Sequence, residues 1–429
     1  MPFRTTWRAL AGIAGGVAFA ALLLLASEQF RSAAAPLPDV LGTVEEAQSV
    51  VGDDGVATSV AESGQVASTI PPTTTEAPPQ QRRSVVAFTG DILAHRGVVR
   101  QAASYGVLTG QSYNFGPMFD SVAPYLSEAD LAICHLETPL SADNLGLSGF
   151  PTFNVPREMA EALAGAGYDG CSTASNHSLD QGRVGVFETL DVLEEAGVVA
   201  TGTARNEQER NTPIVFDAGG ISVATLSYTF GFNGFRRPSD MWWIANPIEV
   251  EQIRVDAERV RAAGAEVVIV SLHWGVENQH EITPDQRAVA TELADLGLID
   301  VIVGHHAHVV QPVDTVNGLV VAYGIGNFLS NQSAACCAAG SQDGMILQVV
   351  IEEELEEAAT SENPTFNVSV EYVPTWVDRT DYTIVSVNDV LASDEVGETV
   401  RTTLETSRAR THDVVTSLEP EITIRELVG

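Results

Sequence analysis

The segment VGHHAHVVQPV, residues 303–313, is the most informative part of the sequence. It continues the apolar run of residues 299–303, and it holds three of the chain's nine histidines, His305, His306 and His308. A run of β-branched residues that ends in polar side chains is typical of a buried strand whose last residues lie at the functional edge of a sheet. We therefore expect a strand over residues 300–308 and a chemical role for the histidines at its end.

Similar β-branched runs alternate with amphipathic segments from Ser84 onward. The β-branched runs predict strands at residues 85–90, 130–137, 168–177, 221–230, 265–275, 300–308, 319–328 and 344–354. The amphipathic segments, several of which end in Gly, predict helices at residues 117–129, 156–167, 182–197, 247–264 and 283–297. The tail adds FNVSVEYVPTWV, residues 366–377, as further strand, and a polar C-terminal helix. Such alternation is typical of an α/β fold with a largely parallel sheet.

Five of the predicted strands end in acids, imidazoles or a carboxamide. These residues are Asp91, His135, Glu137, Asn176, His177, His273, His305, His306 and His308. Because the carboxyl ends of the strands in such a sheet share one edge, we expect these side chains to converge. Imidazole combined with carboxylate, without an obligatory thiolate, suits Zn, Mn, Fe or Ni. The sequence therefore predicts a metal site, and the number of ligands allows two ions joined by a bridging carboxylate.

The composition excludes several kinds of chemistry. The chain has 57 acidic residues against 22 basic ones, and all 22 are Arg. Without Lys there is no P-loop lysine and no Schiff-base amine. The acidic balance argues against nucleic acid as a partner. There is no G-x-S-x-G nucleophile motif, which agrees with hydrolysis by an activated water rather than by a serine.

The N-terminal residues predict export and a membrane anchor. Arg4 and Arg8 precede an uncharged, mostly apolar run over residues 9–26. This pattern is typical of a signal-anchor with the rest of the chain outside the cytoplasm. Ala33–Ala35 resembles a cleavage site, but Pro36 follows it, so an uncleaved anchor is favoured over secretion after cleavage.

These patterns divide the chain into four parts. Residues 1–27 are expected to form the anchor, and residues 28–83, rich in Ser, Thr, Pro and acids, a disordered stalk. Residues 84–354 are expected to form the metal-binding domain, completed by C-terminal strands and a helix over residues 355–429.

The four cysteines, Cys134, Cys171, Cys336 and Cys337, leave three disulfide pairings open in an exported chain. A bond between the adjacent residues Cys336 and Cys337 is the least favoured because its ring is strained. Free, buried thiols are the alternative.

Six motifs in order resemble those of the CapA (poly-γ-glutamate capsule synthesis) family. They are GDILAHRG, ADLAICHLETPL, STASNHSLDQG, VVIVSLHWGVE, DVIVGHHAHVVQPV and YGIGNFLSNQ, and they span residues 85–332. That family resembles the calcineurin-like metallophosphatases. The resemblance implies an α/β fold in the form of an α/β/β/α sandwich, in which two packed sheets lie between helices.

The resemblance also implies roles for particular residues. Two divalent transition-metal ions, Mn, Zn or Fe, are expected. Their ligands would be Asp91, Glu137 as the bridging carboxylate, Asn176, His273, His306 and His308. The resemblance makes His177 the acid that protonates the leaving group. Asp180 is the second catalytic candidate, either as a partner that orients His177 or as a bystander.

Two departures from the resembled pattern bear on the site. The superfamily usually opens with Asp-x-His, whereas Leu93 stands at that histidine position, so His95 is a candidate replacement. The family usually has Asn-Leu-Glu where this chain has His135-Leu136-Glu137, so His135 is a candidate extra ligand. His305 is expected to point away from His306 and His308.

Two main hypotheses follow for the function. The first is a membrane-anchored extracytoplasmic hydrolase of capsule or poly-γ-glutamate biosynthesis that cleaves a phosphoester or γ-glutamyl bond. Its partners would be an anionic polymer or phosphoester substrate and a membrane-bound synthesis complex. The second is a non-catalytic component of a polymer synthesis or export complex with a degenerate metal site. A nucleotidase-like phosphatase is a third reading.

Overall fold

A computed structural model of the chain describes residues 81–354, 365–419 and 424–427. The expected anchor (1–27) and nearly all of the expected stalk (28–83) lie outside these residues. Within the described ranges, no helix combines the length and the apolar character that crossing a bilayer requires.

The described strands form two large sheets and a small pair. The strands of the first sheet are β1 (Arg83–Ile92), β2 (Leu131–Leu136), β5 (Gly170–Ser172), β6 (Val199–Thr201), β13 (Asn327–Leu329), β14 (Asp343–Glu353), β15 (Phe366–Asp378), β16 (Thr383–Ser386) and β17 (Ile424–Glu426). Those of the second are β7 (Phe216–Ala218), β8 (Ile221–Thr229), β9 (Val267–His273), β10 (Val301–His305), β11 (Val313–Val316) and β12 (Leu319–Ala322). The small pair is β3 (Leu140–Ser141) and β4 (Val155–Pro156).

The helices connect and cover these strands. They are α1 (Arg96–Thr109), α2 (Gly116–Phe119), α3 (Ala123–Ser127), α4 (Glu158–Ala166), α5 (Gly182–Glu195), α6 (Glu207–Asn211), α7 (Val250–Ala262), α8 (Pro284–Ala294), α9 (Val387–Ala392) and α10 (Glu398–Val415). A short 3₁₀ helix occupies Ser239–Met241. Local sequence signals explain several boundaries. A capping box formed by Thr283 and Gln286 begins α8, and left-handed glycines, Gly110 and Gly167, end α1 and α4.

The main order of the first sheet is β16-β15-β14-β1-β2-β5-β6, with β13 beside β1 and β17 beside β15. The second sheet runs β11-β12-β10-β9-β8-β7. The strands that carry the polar residues pair in parallel: β1 with β2, β2 with β5, β8 with β9 and β9 with β10. Both sheets are mixed, however, because β14 and β15 join the first sheet antiparallel and β7 and β11 edge the second antiparallel. The expectation of parallel strands therefore holds for the strands that lead to the site and for their neighbours β6 and β12, and it fails at β14, β15 and β16 and at the edge strands β7 and β11.

Three hydrophobic clusters define the layers. One packs α1, α4 and α5 on the outer face of the first sheet, through residues such as Val98, Leu163 and Leu193. A second lies between the two sheets and joins Phe88 and Ile133 to side chains of β9 and β10. The third packs α7 and α8 on the outer face of the second sheet. The chain is therefore an α/β fold with helix, sheet, sheet and helix layers, as expected.

One disulfide fixes neighbouring strands of the first sheet. Cys134 on β2 is bonded to Cys171 on β5, and these residues are also register partners. Cys336 and Cys337 are free. The bond joins the two strands that lead to Glu137 and to Asn176.

Candidate metal centre

Strand register brings four polar side chains together between the sheets. Asp91 is the register partner of His135 in the first sheet, and His273 is the partner of His305 in the second. Register partners on parallel strands present their side chains to the same face of a sheet. The rings of His135 and His305 consequently meet across the interlayer and stack with centroids 3.9 Å apart. The polar cluster thus closes the carboxyl end of the core between the sheets.

A serine-rich turn delivers Asn176 and His177 to this cluster. Only Gly170–Ser172 of the expected strand 168–177 pairs as β5. The Ser178 hydroxyl donates to the Thr173 carbonyl (2.8 Å) and accepts from the Ser175 amide (2.7 Å). Ser hydroxyls compete with strand hydrogen bonds in this way, so the backbone turns instead of continuing.

The loop after β10 delivers His306 and His308. Both residues have positive φ, +86° and +55°. This conformation is unfavourable for residues with a Cβ and is found at sites where the surrounding structure imposes it. The backbone amide of His306 donates to Asp91 Oδ2 at 3.2 Å, which ties the loop to β1.

Glu137 lies at the centre of the cluster. Its side chain is fully buried, and neither carboxylate oxygen accepts a hydrogen bond within the described part of the chain. Three imidazole nitrogens surround Oε1, with Nε2 of His308 at 3.8 Å and Nε2 of His273 and of His177 at 4.0 Å. These distances are too long for hydrogen bonds, which span about 2.7–3.2 Å. They suit a cation between the atoms, because metal–nitrogen and metal–oxygen bonds measure about 2.0–2.2 Å.

Burial also leaves this carboxylate in need of a positive charge. Removal from water raises the pKa of Glu137 to about 7. The pKa of His308 is raised to about 9, since the carboxylates of Glu137 and Asp91 outweigh the opposite effect of burial. A proton held here stands in the position that a metal ion would take.

Asp91 and His308 form one side of the centre. Nδ1 of His308 lies 2.9 Å from Asp91 Oδ2 and 3.1 Å from Asn327 Oδ1, so it carries the proton that these oxygens accept. Nε2 of His308 is then directed at Glu137, and it can bind a metal once its own proton is lost. Burial raises the pKa of Asp91, but the neighbouring imidazoles of His305 and His308 outweigh it and hold the pKa well below its usual range. The ligand atoms of Asp91, Glu137 and His308 lie within 4.8 Å of one another.

Asn176 and His273 form the other side. Nε2 of His273 lies 3.0 Å from Asn176 Oδ1, while the Asn176 amide donates to Asn233 Oδ1 at 3.3 Å. Burial, followed by the neighbouring His306, holds the pKa of His273 well below its usual range, so the ring is neutral. Burial likewise lowers the pKa of His306 to about 3, and its Nδ1 has no partner within the described residues. Neutral imidazole is the form that binds metals.

His177 and Asp180 lie beside the ligand groups as a hydrogen-bonded pair. Nδ1 of His177 lies 2.7 Å from Asp180 Oδ2, which also accepts from the Phe153 amide at 2.7 Å. The Phe153 ring packs edge-on against His177 at 4.8 Å between centroids. Nε2 of His177 therefore faces the centre, in position to give a proton to a group held there.

The structure places the remaining candidates differently. His95 bonds the Leu93 carbonyl through Nδ1 at 3.0 Å and packs against Phe153, so it does not join any of the groups of possible ligands. His305 stacks on His135 and places Nδ1 3.3 Å from Asp91 Oδ1. His280 contacts backbone carbonyls of Val310 and Ala339.

Two contributing residues were not anticipated: Asn327 orients His308, and Asn233 contacts both Asn176 and His177. Phe230 lays a half-exposed ring 4.6 Å from that of His306. Asn327 lies within the motif YGIGNFLSNQ, which is a signal for its role. Asn233 has a positive φ of +49° in an Asn-Gly turn, and nothing in the local sequence connects that turn to the metal cluster.

The donor set as a whole suits divalent transition metals. Among the residues in the described ranges, it contains a central carboxylate without hydrogen bonds, a second carboxylate, an amide oxygen and imidazoles, and no thiolate belongs to the groups of possible ligands. Two metal ions bridged by a carboxylate, with an oriented imidazole beside them, form an arrangement that can hydrolyse esters and amides.

Comparison with known proteins places this centre in a family. A family model described as "Bacterial capsule synthesis protein PGA_cap" matches residues 85–332. The chain is 29% identical over 263 residues to the capsule biosynthesis protein CapA of Bacillus anthracis, with 59% of this chain and 61% of that protein covered. It is 26% identical over 249 residues to the PGA biosynthesis protein CapA of Bacillus subtilis (strain 168), with 57% of this chain and 63% of that protein covered.

The matched part thus spans less than two thirds of either relative. Among solved structures, the calcineurin-like phosphoesterase YfkN of Bacillus subtilis aligns over 77% of this chain and 98% of its own, with a TM-score of 0.39 and 16% identity.

Proposed function

This chain belongs to the bacterial capsule synthesis protein PGA_cap family, and from that premise we propose that it is a metal-dependent hydrolase of capsule or poly-γ-glutamate biosynthesis. The main support is Glu137, a buried carboxylate that accepts no hydrogen bond from the residues that the structure describes. Three imidazole nitrogens lie 3.8–4.0 Å from one of its oxygens. A carboxylate in that position is costly unless a cation binds it.

Two divalent ions fit the donor set. Asp91 and His308 would hold the first ion, Asn176, His273 and His306 the second, and Glu137 would bridge them. When bound, such ions polarise the bond to be hydrolysed and activate a water. Zn, Mn and Fe all suit these ligands.

The chain's own residues supply the proton transfer. Asp180 accepts the hydrogen bond from Nδ1 of His177 and stabilises the imidazolium. Nε2 of His177 would then donate its proton to the atom that leaves, which is oxygen in a phosphoester and nitrogen in a γ-glutamyl amide. The Phe153 ring packs against His177, and the Phe153 backbone amide donates a hydrogen bond to Asp180. These two contacts keep the pair in this orientation.

Turnover by the full-length chain tests this proposal. With manganese or zinc supplied, the protein should hydrolyse a p-nitrophenyl phosphodiester or a γ-glutamyl oligomer, and the bond that is cut identifies the substrate class. His177→Gln should bind the same metal and lose most of this turnover. A metal-loaded wild-type protein that cleaves neither substrate, nor mononucleotides, would contradict hydrolysis and favour the non-catalytic component of a polymer complex.

We also propose that the chain is anchored in the cell membrane with its domain outside the cytoplasm. The support is the apolar run over residues 9–26, which follows Arg4 and Arg8. After expression in a bacterial host, the chain should remain in the membrane pellet at alkaline pH, and the domain should be degraded by protease added to spheroplasts. Release of the full chain into the soluble fraction would contradict the anchor.

A further inference from the structure

A line of four buried polar side chains crosses from the first sheet to the second. Ser172 Oγ lies 2.7 Å from Nδ1 of His135, and Nε2 of His135 lies 2.9 Å from Nδ1 of His273. Nε2 of His273 lies 3.0 Å from Asn176 Oδ1. All four residues are at most 2% exposed, so water does not replace any of these contacts. Asn176 and His273 belong to the ligand set expected from the sequence. His135 and Ser172 lie on the other side of His273.

One direction of hydrogen bonding satisfies every group without a metal. The Ser172 hydroxyl donates to Nδ1 of His135, the Nε2 proton of His135 is donated to His273, and the Nε2 proton of His273 is donated to Asn176 Oδ1. Each neutral imidazole has one donor and one acceptor, so the direction at one ring dictates the direction at the next. In this arrangement Nε2 of His273 has no lone pair for a ligand bond.

The opposite direction prepares His273 for a metal. The Ser172 hydroxyl then donates to the Cys134 carbonyl, 3.3 Å away, and accepts from Nδ1 of His135. Nε2 of His135 accepts from Nδ1 of His273, and Nε2 of His273 carries a lone pair. That lone pair and Asn176 Oδ1 then face each other at 3.0 Å, which is favourable only with a cation bound to both.

We propose that Ser172 and His135 are positioning residues that set the tautomer of His273, and that metal binding reverses the whole chain of hydrogen bonds. The hydroxyl proton of Ser172 passes to Nδ1 of His135, the Nε2 proton of His135 passes to Nδ1 of His273, and the Nε2 proton of His273 leaves to water. Water returns one proton to Ser172 Oγ, so each imidazole ends protonated at Nδ1 and the number of bound protons does not change. The inference rests on the proposed metal centre, because a metal at His273 is what makes the second direction favourable.

This role differs from packing. His135 also stacks on His305, so a packing role alone would require only a flat ring. Ser172, which touches no proposed metal ligand directly, would be irrelevant to such a role. A ring nitrogen that fixes the tautomer of a ligating histidine is a recognised function of the residues behind a metal site.

Nuclear magnetic resonance of the ring nitrogens observes the tautomers directly. The full-length chain, labelled with ¹⁵N in histidine, is measured in a chelated state and after addition of Zn²⁺, and the two rings are assigned from His135→Phe and His273→Gln. We expect His135 and His273 to be protonated at Nε2 without zinc and at Nδ1 with zinc. Zinc that binds but leaves either tautomer unchanged would overturn the proposed reversal of hydrogen bonds, which we call the relay. Zinc that alters no histidine signal would overturn the metal centre itself, and the relay with it.

Zinc affinity, measured by competition with a chelator, provides the second test. His135→Phe and Ser172→Ala should each weaken affinity on the order of 10–100-fold, since residues behind a ligand typically contribute that much. Ser172→Thr keeps the hydroxyl and should restore binding. The control is His412→Gln, because that side chain is 55% exposed on α10. Wild-type affinity in both Ser172→Ala and His135→Phe would overturn the proposal.

Discussion

At the scale of single residues, His177 is held on two sides. Asp180 fixes Nδ1, and Phe153 supports both the ring and the carboxylate. Among the described residues, the groups of possible metal ligands do not include His177 or Asp180. His177 only approaches Glu137, at 4.0 Å. Removal of His177 or Asp180 should therefore affect proton transfer more than metal binding.

We therefore predict that His177→Gln lowers kcat about 10²–10⁴-fold, the usual contribution of general acid catalysis. Asp180→Asn should lower kcat by a smaller factor, because it keeps the acid but loses the stabilised imidazolium. Metal content, measured on the same samples, should match the wild type. Unchanged kcat in His177→Gln would remove this residue from the acid role.

A second residue-scale prediction concerns the pH dependence of metal binding. Without metal, the pKa of Glu137 is raised to about 7 by burial, and that of His308 to about 9 by neighbouring carboxylates that outweigh burial. Both groups hold protons below these values, and a metal must displace those protons. The affinity for Mn²⁺ should thus rise as pH increases from about 6 to about 9. A chelator-competition series would show this slope, and an affinity independent of pH would contradict the placement of Glu137 and His308 as ligands.

At the scale of elements, the end of β10 is where the backbone is most constrained. A Cβ on Gly304 would lie 1.8 Å from the Tyr323 carbonyl oxygen and 2.6 Å from the Trp274 indole nitrogen. The Tyr323 contact is with the backbone of the segment that follows β12, so it cannot be relieved by a side-chain rotation. This close approach sets the position from which His305, His306 and His308 extend.

Gly304→Ala should accordingly destabilise the fold by about 1–3 kcal/mol, as overpacking of a core does, and should reduce metal content. Gly165→Ala provides the control, because that helical position on α4 has no atom within 4 Å of the added Cβ. It should raise stability by about 0.4–1 kcal/mol. Thermal unfolding of both variants measures these effects, and a stable, metal-replete Gly304→Ala would show that the β10 loop tolerates displacement.

The elements that were predictable from sequence are those with strong local signals. The strands that carry Asp91, His273 and His305 have continuous β-branched runs, and α7 and α8 have clear apolar periods. Helix α1 was not predicted, because its buried face consists mostly of small residues, Gly97, Ala102 and Gly106 beside Val98. The expected strand 319–328 is divided into β12 and β13, since Gly326 has a φ of +74° between them. The expected helix 117–129 is divided into α2 and α3.

The candidate site was predictable as far as each residue depends on its own strand. The convergence of Asp91, Glu137, Asn176, His273, His306 and His308 follows from their places at strand ends, and the structure brings all six together. Their roles as ligands remain predictions. The stacking of His135 on His305 depends on how two sheets face each other, and no local pattern in the chain encodes that distance.

At the scale of the whole molecule, charge governs the approach of a substrate. The net charge of −35 repels an anionic polymer, and the repulsion is screened by salt. We predict that kcat/KM for a polyanionic substrate rises as ionic strength increases from about 0.01 M to about 0.15 M, over which the Debye length falls from about 30 Å to about 8 Å. A zwitterionic p-nitrophenyl phosphodiester should show little change. A decrease with salt for the polyanion would instead indicate a basic entry, for which Arg236 and Arg237 are the first candidates.

If Glu137 bridges two metal ions, the metal content of the protein should depend on its carboxylate. The full-length chain is purified in metal-supplemented buffer and analysed by inductively coupled plasma mass spectrometry, beside Glu137→Gln and the control Glu258→Gln, an exposed carboxylate on α7. We expect two transition-metal ions per chain in the wild type and in Glu258→Gln. Glu137→Gln should hold one ion or none. A wild-type chain without metal, or Glu137→Gln with two ions, would contradict the bridging role of Glu137.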